Sequence, residues 1–147
     1  MTAWRERGFT LIELMVVVSI VAVMLTLTLP AYQEQLRGTR RALGRAELLK
    51  VMTRQEQYFV DHKRYAESLT EMDLPENPYA INSQGNAVAV TAKSRIYLIS
   101  LLVHRYGYTL TAVPQRSQSA DHRCGTLSLD STGRKQSTGT GSARECW

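Results

Sequence analysis

Residues 9–29 read FTLIELMVVVSIVAVMLTLTL, and Glu13 is the only charged side chain among these 21 residues. A helix of this length, at 1.5 Å per residue, extends roughly 31 Å, about the thickness of the hydrocarbon core of a bilayer. The stretch therefore predicts a membrane-spanning helix. From Pro30 onward the chain is polar enough to form a soluble head, so we expect an anchor followed by one small domain.

The overall composition limits what that head can be. The sequence has 147 residues, of which 44% are hydrophobic and 21% charged, values that fit about one folded domain and exclude wholesale disorder or a multidomain enzyme. Its net charge is +5, carried by 14 Arg and 4 Lys against 13 acidic residues. This balance predicts an acidic partner such as nucleic acid, lipid headgroups or an acidic protein surface.

The apolar stretch does not fit a secretory signal that is removed. A basic start, Arg5 and Arg7, precedes it, but the stretch is longer than the 7–15 apolar residues of a signal peptide. The residues that follow, Leu29-Pro30-Ala31-Tyr32, match the small-x-small cleavage pattern poorly. An anchor that stays in the chain is therefore favoured.

Glu13 is unusual because a carboxylate within hydrocarbon costs about 2.5–3.5 kcal/mol. One explanation is a protonated side chain close to the membrane interface. Another is a cut between Gly8 and Phe9, which would create an α-amine on Phe9, four residues from Glu13 of the same chain and available to a neighbour. Opposite charges 4 Å apart attract by about 4 kcal/mol at an effective dielectric constant near 20, which would offset the insertion cost.

The sequence around Gly8 resembles the class III leader of type IV prepilins. Arg7-Gly8-Phe9-Thr10-Leu11-Ile12-Glu13 has the short basic leader, the Gly, the hydrophobic residue and the spaced Glu, followed at once by an apolar helix. The resemblance implies cleavage after Gly8 and N-methylation of Phe9 by a prepilin peptidase. It also implies that Glu13 neutralises the amine of an adjacent subunit, and that Pro30 stands where such pilins carry a helix-kinking proline.

The resemblance further implies partners and a location. The partners are other major and minor pilin subunits, the pilus assembly machinery of the inner membrane, and inner-membrane lipid before assembly. The location is a single pass through the bacterial inner membrane with the head in the periplasm, and then the extracellular pilus. Counting positive charges disagrees, since more lie beyond the anchor than before it and favour the reverse orientation: Arg37, Arg40, Arg41 and Arg45.

Residues 30–60 predict an amphipathic helix, whose apolar residues recur at spacings of three, four and seven: Leu36, Leu43, Leu48, Leu49, Met52 and Phe59. Pro30 is expected to kink or locally open the junction with the anchor, and Gly38 and Gly44 weaken the helix. Arg37, Arg41 and Arg45 fall four apart on one face. That face is either an assembly contact with acidic groups or lipid phosphate, or simply solvated; we favour assembly as the explanation of the basic excess.

The remaining residues, 61–147, predict a globular head with an antiparallel sheet. Strands are expected at 95–103, 106–113 and 125–130, with a tight connection at His104-Arg105 and a weaker edge strand at 87–92. The segment 61–94 otherwise reads as loops, with one helical turn at 68–72. Packing this sheet on the apolar helix stripe gives an α+β fold, in agreement with the type IV pilin fold that the resemblance implies. The domain prediction is thus leader 1–8, anchor 9–29, amphipathic helix 30–60 and head 61–147.

Cys124 and Cys146 both lie in the head. A head outside the membrane meets an oxidising space, which favours a disulfide over two free thiols. The closed loop would stabilise the head by roughly 3 kcal/mol in the chain-entropy model. It resembles the disulfide-bounded region of type IVa pilins. The pattern Cys124-Gly125-x-Leu127-x-Leu129, with Cys146-Trp147 after it, is most similar to PilE-type minor pilins.

Neither catalysis nor a cofactor is predicted, because the spacing of the histidines does not suggest a metal site: His62, His104 and His122. The main hypothesis is a minor pilin that enters or primes a type IV pilus and thereby serves twitching motility, adhesion or DNA uptake. Alternatives are a pseudopilin of a type II secretion system and a DNA-binding competence pilin. The latter would track phosphates with head arginines near Tyr106 and Tyr108: Arg95, Arg105, Arg116, Arg123, Arg134 and Arg144.

Overall fold

The computed structural model describes residues 9–147, except for the side chain of Leu27. The predicted leader, residues 1–8, lies outside the described residues. The chain divides into two compact units, with the boundary between Leu36 and Arg37. The two units are described separately below.

The first unit is built on helix α1, which runs over Leu11–His62 and continues into the second unit. Every described residue from Phe9 to Gln35 is exposed, including the aliphatic side chains of the anchor. By length and composition, α1 is apolar enough near its N-terminus to cross a membrane. Contact between water and a continuous apolar surface of this size is unfavourable, so the surface requires lipid or other protein against it. The predicted anchor is therefore helical and lacks a cover of its own.

The second unit contains one six-stranded antiparallel sheet with the order β2-β1-β3-β4-β5-β6. Two 3₁₀ turns, Leu69–Met72 and Arg116–Ala120, connect its parts, and a short helix, α2, spans Ala143–Cys146. The strands are β1 Tyr79–Asn82, β2 Ala87–Val88, β3 Arg95–His104, β4 Gly107–Pro114, β5 Leu127–Asp130 and β6 Lys135–Ser137. The predicted α+β fold, a long helix packed on an antiparallel sheet, is confirmed.

The face of α1 that packs on the head coincides only in part with the predicted apolar stripe, of which Leu43 and Met52 lie partly buried against the core. Leu48 is fully buried as expected, but Leu49 is 44% exposed and Phe59 is 39% exposed. The buried positions instead recur every three or four residues and are partly polar or small: Arg41, Gly44, Leu48, Val51 and Gln55. Hydrophobic spacing alone missed the polar part of this face, because Arg41 and Gln55 are buried by bonds to Asp121 and Ala66.

The strand predictions were accurate in the middle of the sheet and incomplete at its edges. Strands β3, β4 and β5 lie within two residues of the expected bounds, and the connection between β3 and β4 lies at Arg105-Tyr106, one residue later than expected. The predicted edge strand is only Ala87–Val88. The sequence analysis missed β1, β6 and α2, which are three or four residues each and therefore carry little periodic signal.

Candidate functional sites of the anchor and the head

The N-terminal site consists of Phe9 and Glu13. Phe9 is 86% exposed and precedes the helix, while Glu13 lies in its first turn and its backbone N–H donates to the side chain of Thr10 at 3.3 Å. A carboxylate in the first turn is favoured by the partial positive charge of the helix N-terminus. Gly8, on the other side of the predicted cleavage point, lies outside the described residues.

Pro30 lies inside α1, which the structure assigns as one helix on both sides of it. A proline has no N–H, so the helical hydrogen bond to the carbonyl of Thr26 is absent at this point. Nearby hydroxyls bond to the helix backbone: Thr26 donates to the carbonyl of Val23 at 2.7 Å and Thr28 to that of Met24 at 3.1 Å. The proline therefore removes one bond without ending the helix.

Arg41 forms the best-buried ion pair of the head. Its guanidinium donates to both carboxylate oxygens of Asp121, at 2.9 and 2.8 Å, and both residues are buried. Gln118 donates to Asp121 at 3.3 Å and to the hydroxyl oxygen of Tyr97 at 3.1 Å. Burial raises the pKa of Tyr97 to about 12, which keeps this phenol neutral. The group fixes the segment before Cys124 on α1.

Two further arginines of α1 also contact the head. Arg45 donates to the carbonyl oxygen of Trp147 at 2.8 Å, and Arg40 donates to the hydroxyl of Ser117 at 2.9 Å. With Arg41 already bound to Asp121, the face is not the open basic surface that the spacing suggested for Arg37, Arg41 and Arg45. Sequence reasoning missed Asp121 as a partner, because a pair 80 residues apart leaves no local pattern.

The predicted disulfide joins Cys124 to Cys146, with the two Cα atoms 5.5 Å apart, and is confirmed. Within the loop it closes, Gly139 donates to the carbonyl of Cys124 at 3.0 Å and Gly141 to that of Arg123 at 2.7 Å. A Cβ on Gly139 would lie 2.3 Å from the Arg123 carbonyl oxygen, so only glycine fits there. The loop is thus held by backbone pairing as well as by the covalent bond.

Helix α2 ends this loop with a capping box. The side chain of Ser142 accepts from the backbone N–H of Glu145, and that of Glu145 accepts from Ser142 N–H at 3.0 Å. This bond and the Arg123 guanidinium 3.2 Å away hold the pKa of Glu145 below its usual value. The indole of Trp147 donates to the Gln136 carbonyl at 2.8 Å. The last residues are therefore docked on β6.

The six head arginines do not form one compact patch. Arg95 is the first residue of β3, and Arg105 follows its last residue. At about 3.3 Å per residue, the two arginines are separated by roughly 33 Å along the strand. Arg123 is partly neutralised by Glu145. The arginines occupy three places: Arg105 and Arg134 in connections at one end of the sheet, Arg95 and Arg116 at the other end, and Arg123 and Arg144 beside the disulfide.

The two tyrosines considered with these arginines have different roles. Tyr108 is 1% exposed and belongs to the core, and its hydroxyl donates to Glu56 at 3.1 Å. Burial raises the pKa of Tyr108 above its ordinary value. Tyr106 is 87% exposed in the β3–β4 connection. Only Tyr106 is therefore accessible to a ligand.

Metal or nucleophilic chemistry has no site in the described part of the chain. Among residues 9–147 there is no group of three or more His, Cys, Asp or Glu side chains that could hold a metal ion. The neighbouring Asp121, His122 and Cys124 do not form a nucleophilic site, because the cysteine is bridged and Asp121 is bound to Arg41.

The exposed apolar helix, the antiparallel sheet of the head and the disulfide-closed C-terminal loop are the features expected of a type IV pilin. Residues 5–29 match the prokaryotic N-terminal methylation motif. Residues 30–128, more than half of the chain, match the family described as type IV minor pilin ComP, DNA uptake sequence receptor. The chain belongs to this family of minor pilins. The prediction of a type IV minor pilin is therefore confirmed, and the pseudopilin alternative loses support.

Individual relatives are also type IV pilins. The type IV major pilin protein PilA of Myxococcus xanthus (strain DK1622) is 30% identical over 60% of this chain and 39% of its own length. The type IV major pilin protein PilE1 of Neisseria gonorrhoeae is 32% identical over 54% of this chain and 48% of its own. The chain thus spans less than half the length of these relatives. A type IV pilin structure from Shewanella oneidensis shares 23% identity, with a TM-score of 0.40, over 66% of this chain and 89% of that one.

The family model and the methylation motif together place the chain among the pilins, and its N-terminal helix is long and apolar enough to cross a membrane. Pilins of this family are structural subunits.

Proposed function

We propose that this minor pilin is a DNA receptor of a type IV pilus and takes part in DNA uptake. The observation that carries the proposal is the match of residues 30–128, which include most of the head, to a family described as a DNA uptake sequence receptor. The proposal assigns the chain a binding role and no catalytic one. Its ligand would be DNA, bound through the phosphate backbone and recognised in part through its bases.

The positions of the exposed basic side chains support a DNA-binding surface on the head. Because Arg40, Arg41 and Arg45 contact the head of their own chain, they contribute little to binding outside it. The other basic side chains are exposed on the head, where each cation that binds a phosphate releases a counterion and adds affinity: Lys93, Arg105, Arg116, Lys135 and Arg144, and also Arg134, which lies 3.9 Å from Asp130.

The proposal includes the path by which the subunit reaches the pilus. Residues 1–8 would be removed after Gly8, and Phe9 would be N-methylated. The mature chain would wait in the inner membrane with its head in the periplasm, where an oxidising space suits the disulfide. The assembly machinery would then draw the anchor into the fibre, with Glu13 paired to the amine of a neighbouring subunit.

Salt-dependent DNA binding tests the receptor role. We expect the full-length chain in detergent to bind labelled duplex DNA with an affinity that falls linearly on a log–log plot against salt. Arg116→Ala and Arg144→Ala should each weaken binding and reduce the slope by about one. Lys63→Ala, which removes an exposed cation bonded to the Val60 carbonyl, is the matched control and should change little. Binding that is absent, or that ignores salt, would overturn the proposal.

A second candidate function is assembly alone, favoured by the position of Glu13 in the first turn of an exposed apolar helix. Deletion of the gene separates the two when surface pili, DNA uptake and secreted enzymes are scored independently. Loss of DNA uptake with normal pili supports the receptor role. Loss of pili supports assembly, and loss of secreted enzymes alone would favour the secretion-system alternative.

A further inference from the structure

A depression of about 520 Å³ lies beside the β3–β4 connection. The end of α1, the segment after it and the connection between β3 and β4 form its walls. Its volume is within the range of about 300–1,000 Å³ that is typical of small-molecule sites. Three aromatic side chains line it, those of Phe59, Tyr65 and Tyr106. Its charged and imidazole side chains are Arg64, His104, Arg105 and Glu67.

The aromatic wall of this depression is anchored in the core. Phe59 lies against Tyr65 with ring centroids 4.9 Å apart, and Tyr65 meets the buried Tyr108 edge-on at 4.8 Å. Because Tyr108 is fixed by its burial, the rings that reach the surface are held in place before any ligand arrives. Such preorganisation reduces the cost of ordering a binding site.

The outer wall is the β3–β4 connection, Arg105-Tyr106. Neither residue has a positive φ, so the backbone of this connection accepts a large side chain at both positions. Tyr106 is 87% exposed, and the Arg105 guanidinium carbon lies 5.5 Å from its ring centroid. Arg105 has no acidic partner in the part of the chain that the structure describes, whereas Arg64 is paired with Glu71 at 3.1 Å. Arg105 is therefore the cation available to a ligand.

We propose that the depression between Tyr106 and Phe59 binds an unpaired nucleotide of DNA, with the base against the aromatic rings and the phosphate at Arg105. This inference rests on the proposed role as a DNA receptor. Arg105, whose guanidinium is not paired with a carboxylate among the described residues, supplies the positive charge for an anionic ligand. A duplex offers base edges and phosphates but hides the base faces in its stack, so exposed rings suit an unpaired base.

The test compares two probes on the full-length chain in detergent. One is a DNA duplex with a short single-stranded overhang that carries 2-aminopurine, and the other is the same duplex with blunt ends and the 2-aminopurine paired. We expect the overhang probe to bind more tightly, with quenched 2-aminopurine fluorescence. Tyr106→Ala should weaken overhang binding by about 5- to 150-fold, the range for loss of one stacked base, and leave blunt-duplex binding unchanged.

Matched variants assign the effect to stacking and to charge. Tyr106→Phe keeps the ring and should keep the preference for the overhang. Arg105→Ala should reduce the salt slope for the overhang probe by about 0.7, the value for one single-strand phosphate contact. Arg116→Ala, at the opposite end of the sheet, should weaken both probes equally. Because Tyr106 is 87% exposed, its substitution is expected to leave the fold intact, which circular dichroism checks.

The outcomes distinguish this inference from the proposed function. Equal affinity for both probes, an unquenched overhang, or an overhang preference that survives in Tyr106→Ala would overturn the nucleotide site while leaving duplex binding by the pilin in place. Failure of both probes to bind at any salt concentration would overturn the receptor role together with the site.

Discussion

Arg41 of α1 and Asp121 of the head are joined by two hydrogen bonds, one to each carboxylate oxygen, at 2.9 and 2.8 Å. The same Asp121 accepts the backbone N–H of Cys124 at 3.3 Å. One buried carboxylate therefore links the long helix to the start of the disulfide-closed loop. Such a pair adds little net stability when complete, but losing one partner leaves a buried charge uncompensated.

Arg41→Ala is expected to destabilise the head by about 3–5 kcal/mol, because it leaves Asp121 buried without its cation. Urea denaturation followed by circular dichroism measures this change. Arg40→Ala, which removes a more exposed bond to Ser117, is the matched control and should cost about 1 kcal/mol or less. If the two variants were equally mild, the ion pair would not be the link that its geometry indicates.

Gly44 and Gly38 should respond in opposite ways when a side chain is added. A Cβ at Gly44 would lie 3.1–3.3 Å from ring carbons of Tyr97, whereas one at Gly38 has no neighbour within 4 Å. Gly38→Ala should therefore raise the free energy of unfolding by up to about 1 kcal/mol through helix propensity. Gly44→Leu should lower it by about 1–3 kcal/mol through overpacking. Equal effects at both positions would contradict a close approach of Tyr97 to the helix.

Removing the disulfide should lower the stability of the head by roughly 3 kcal/mol, since the bridge spans 22 residues. The change is Cys124→Ser with Cys146→Ser, and the midpoint of urea denaturation measures it. Reduced wild-type chain should match the double variant, and the reductant should not alter the variant further. A double variant as stable as the oxidised chain would show that the backbone bonds of Gly139 and Gly141 alone hold the loop.

Glu13→Ala should leave membrane insertion intact and strongly reduce incorporation into fibres. The substitution removes the insertion cost of a carboxylate, about 2.5–3.5 kcal/mol, together with the charge that pairs with a neighbouring amine. Membrane fractions and sheared fibres, probed for the subunit, separate the two effects. Ser19→Ala, a polar change in the same apolar run, serves as the control. Normal incorporation of Glu13→Ala would refute the charge-pairing explanation.

Patterns of neighbouring residues predicted those structural features that neighbouring residues determine. The apolar run, the Gly8-Phe9 motif and the alternation in β3 to β5 are each patterns of consecutive residues. The disulfide could be predicted because two cysteines allow only one pair. The packing face of α1 was predicted only in part, because Gly44, Arg41 and Gln55 are buried through contacts with residues distant in the sequence. Gln55, for example, bonds both the N–H and the carbonyl of Ala66, at 2.9 and 3.0 Å.

The candidate DNA-binding residues of the head could also be predicted only in part. Exposed arginines could be counted in the sequence, but their placement at opposite ends of the sheet depends on strand register, which short strands do not reveal. Tyr106 and Tyr108 have the same residue type and lie two positions apart, yet one is exposed and the other is in the core. The connection at Arg105-Tyr106 decides this, and it was predicted one residue too early.

Helix α1 crosses the boundary between Leu36 and Arg37, so one continuous helix takes part in two units. Amide hydrogens after Arg37 should exchange with the global opening of the head, whereas those before Leu36 should report only on the surroundings of the anchor. The head thus carries its own cooperative stability. On the proposed path from membrane to fibre, the first half of the helix would exchange lipid for neighbouring helices while the head stays folded.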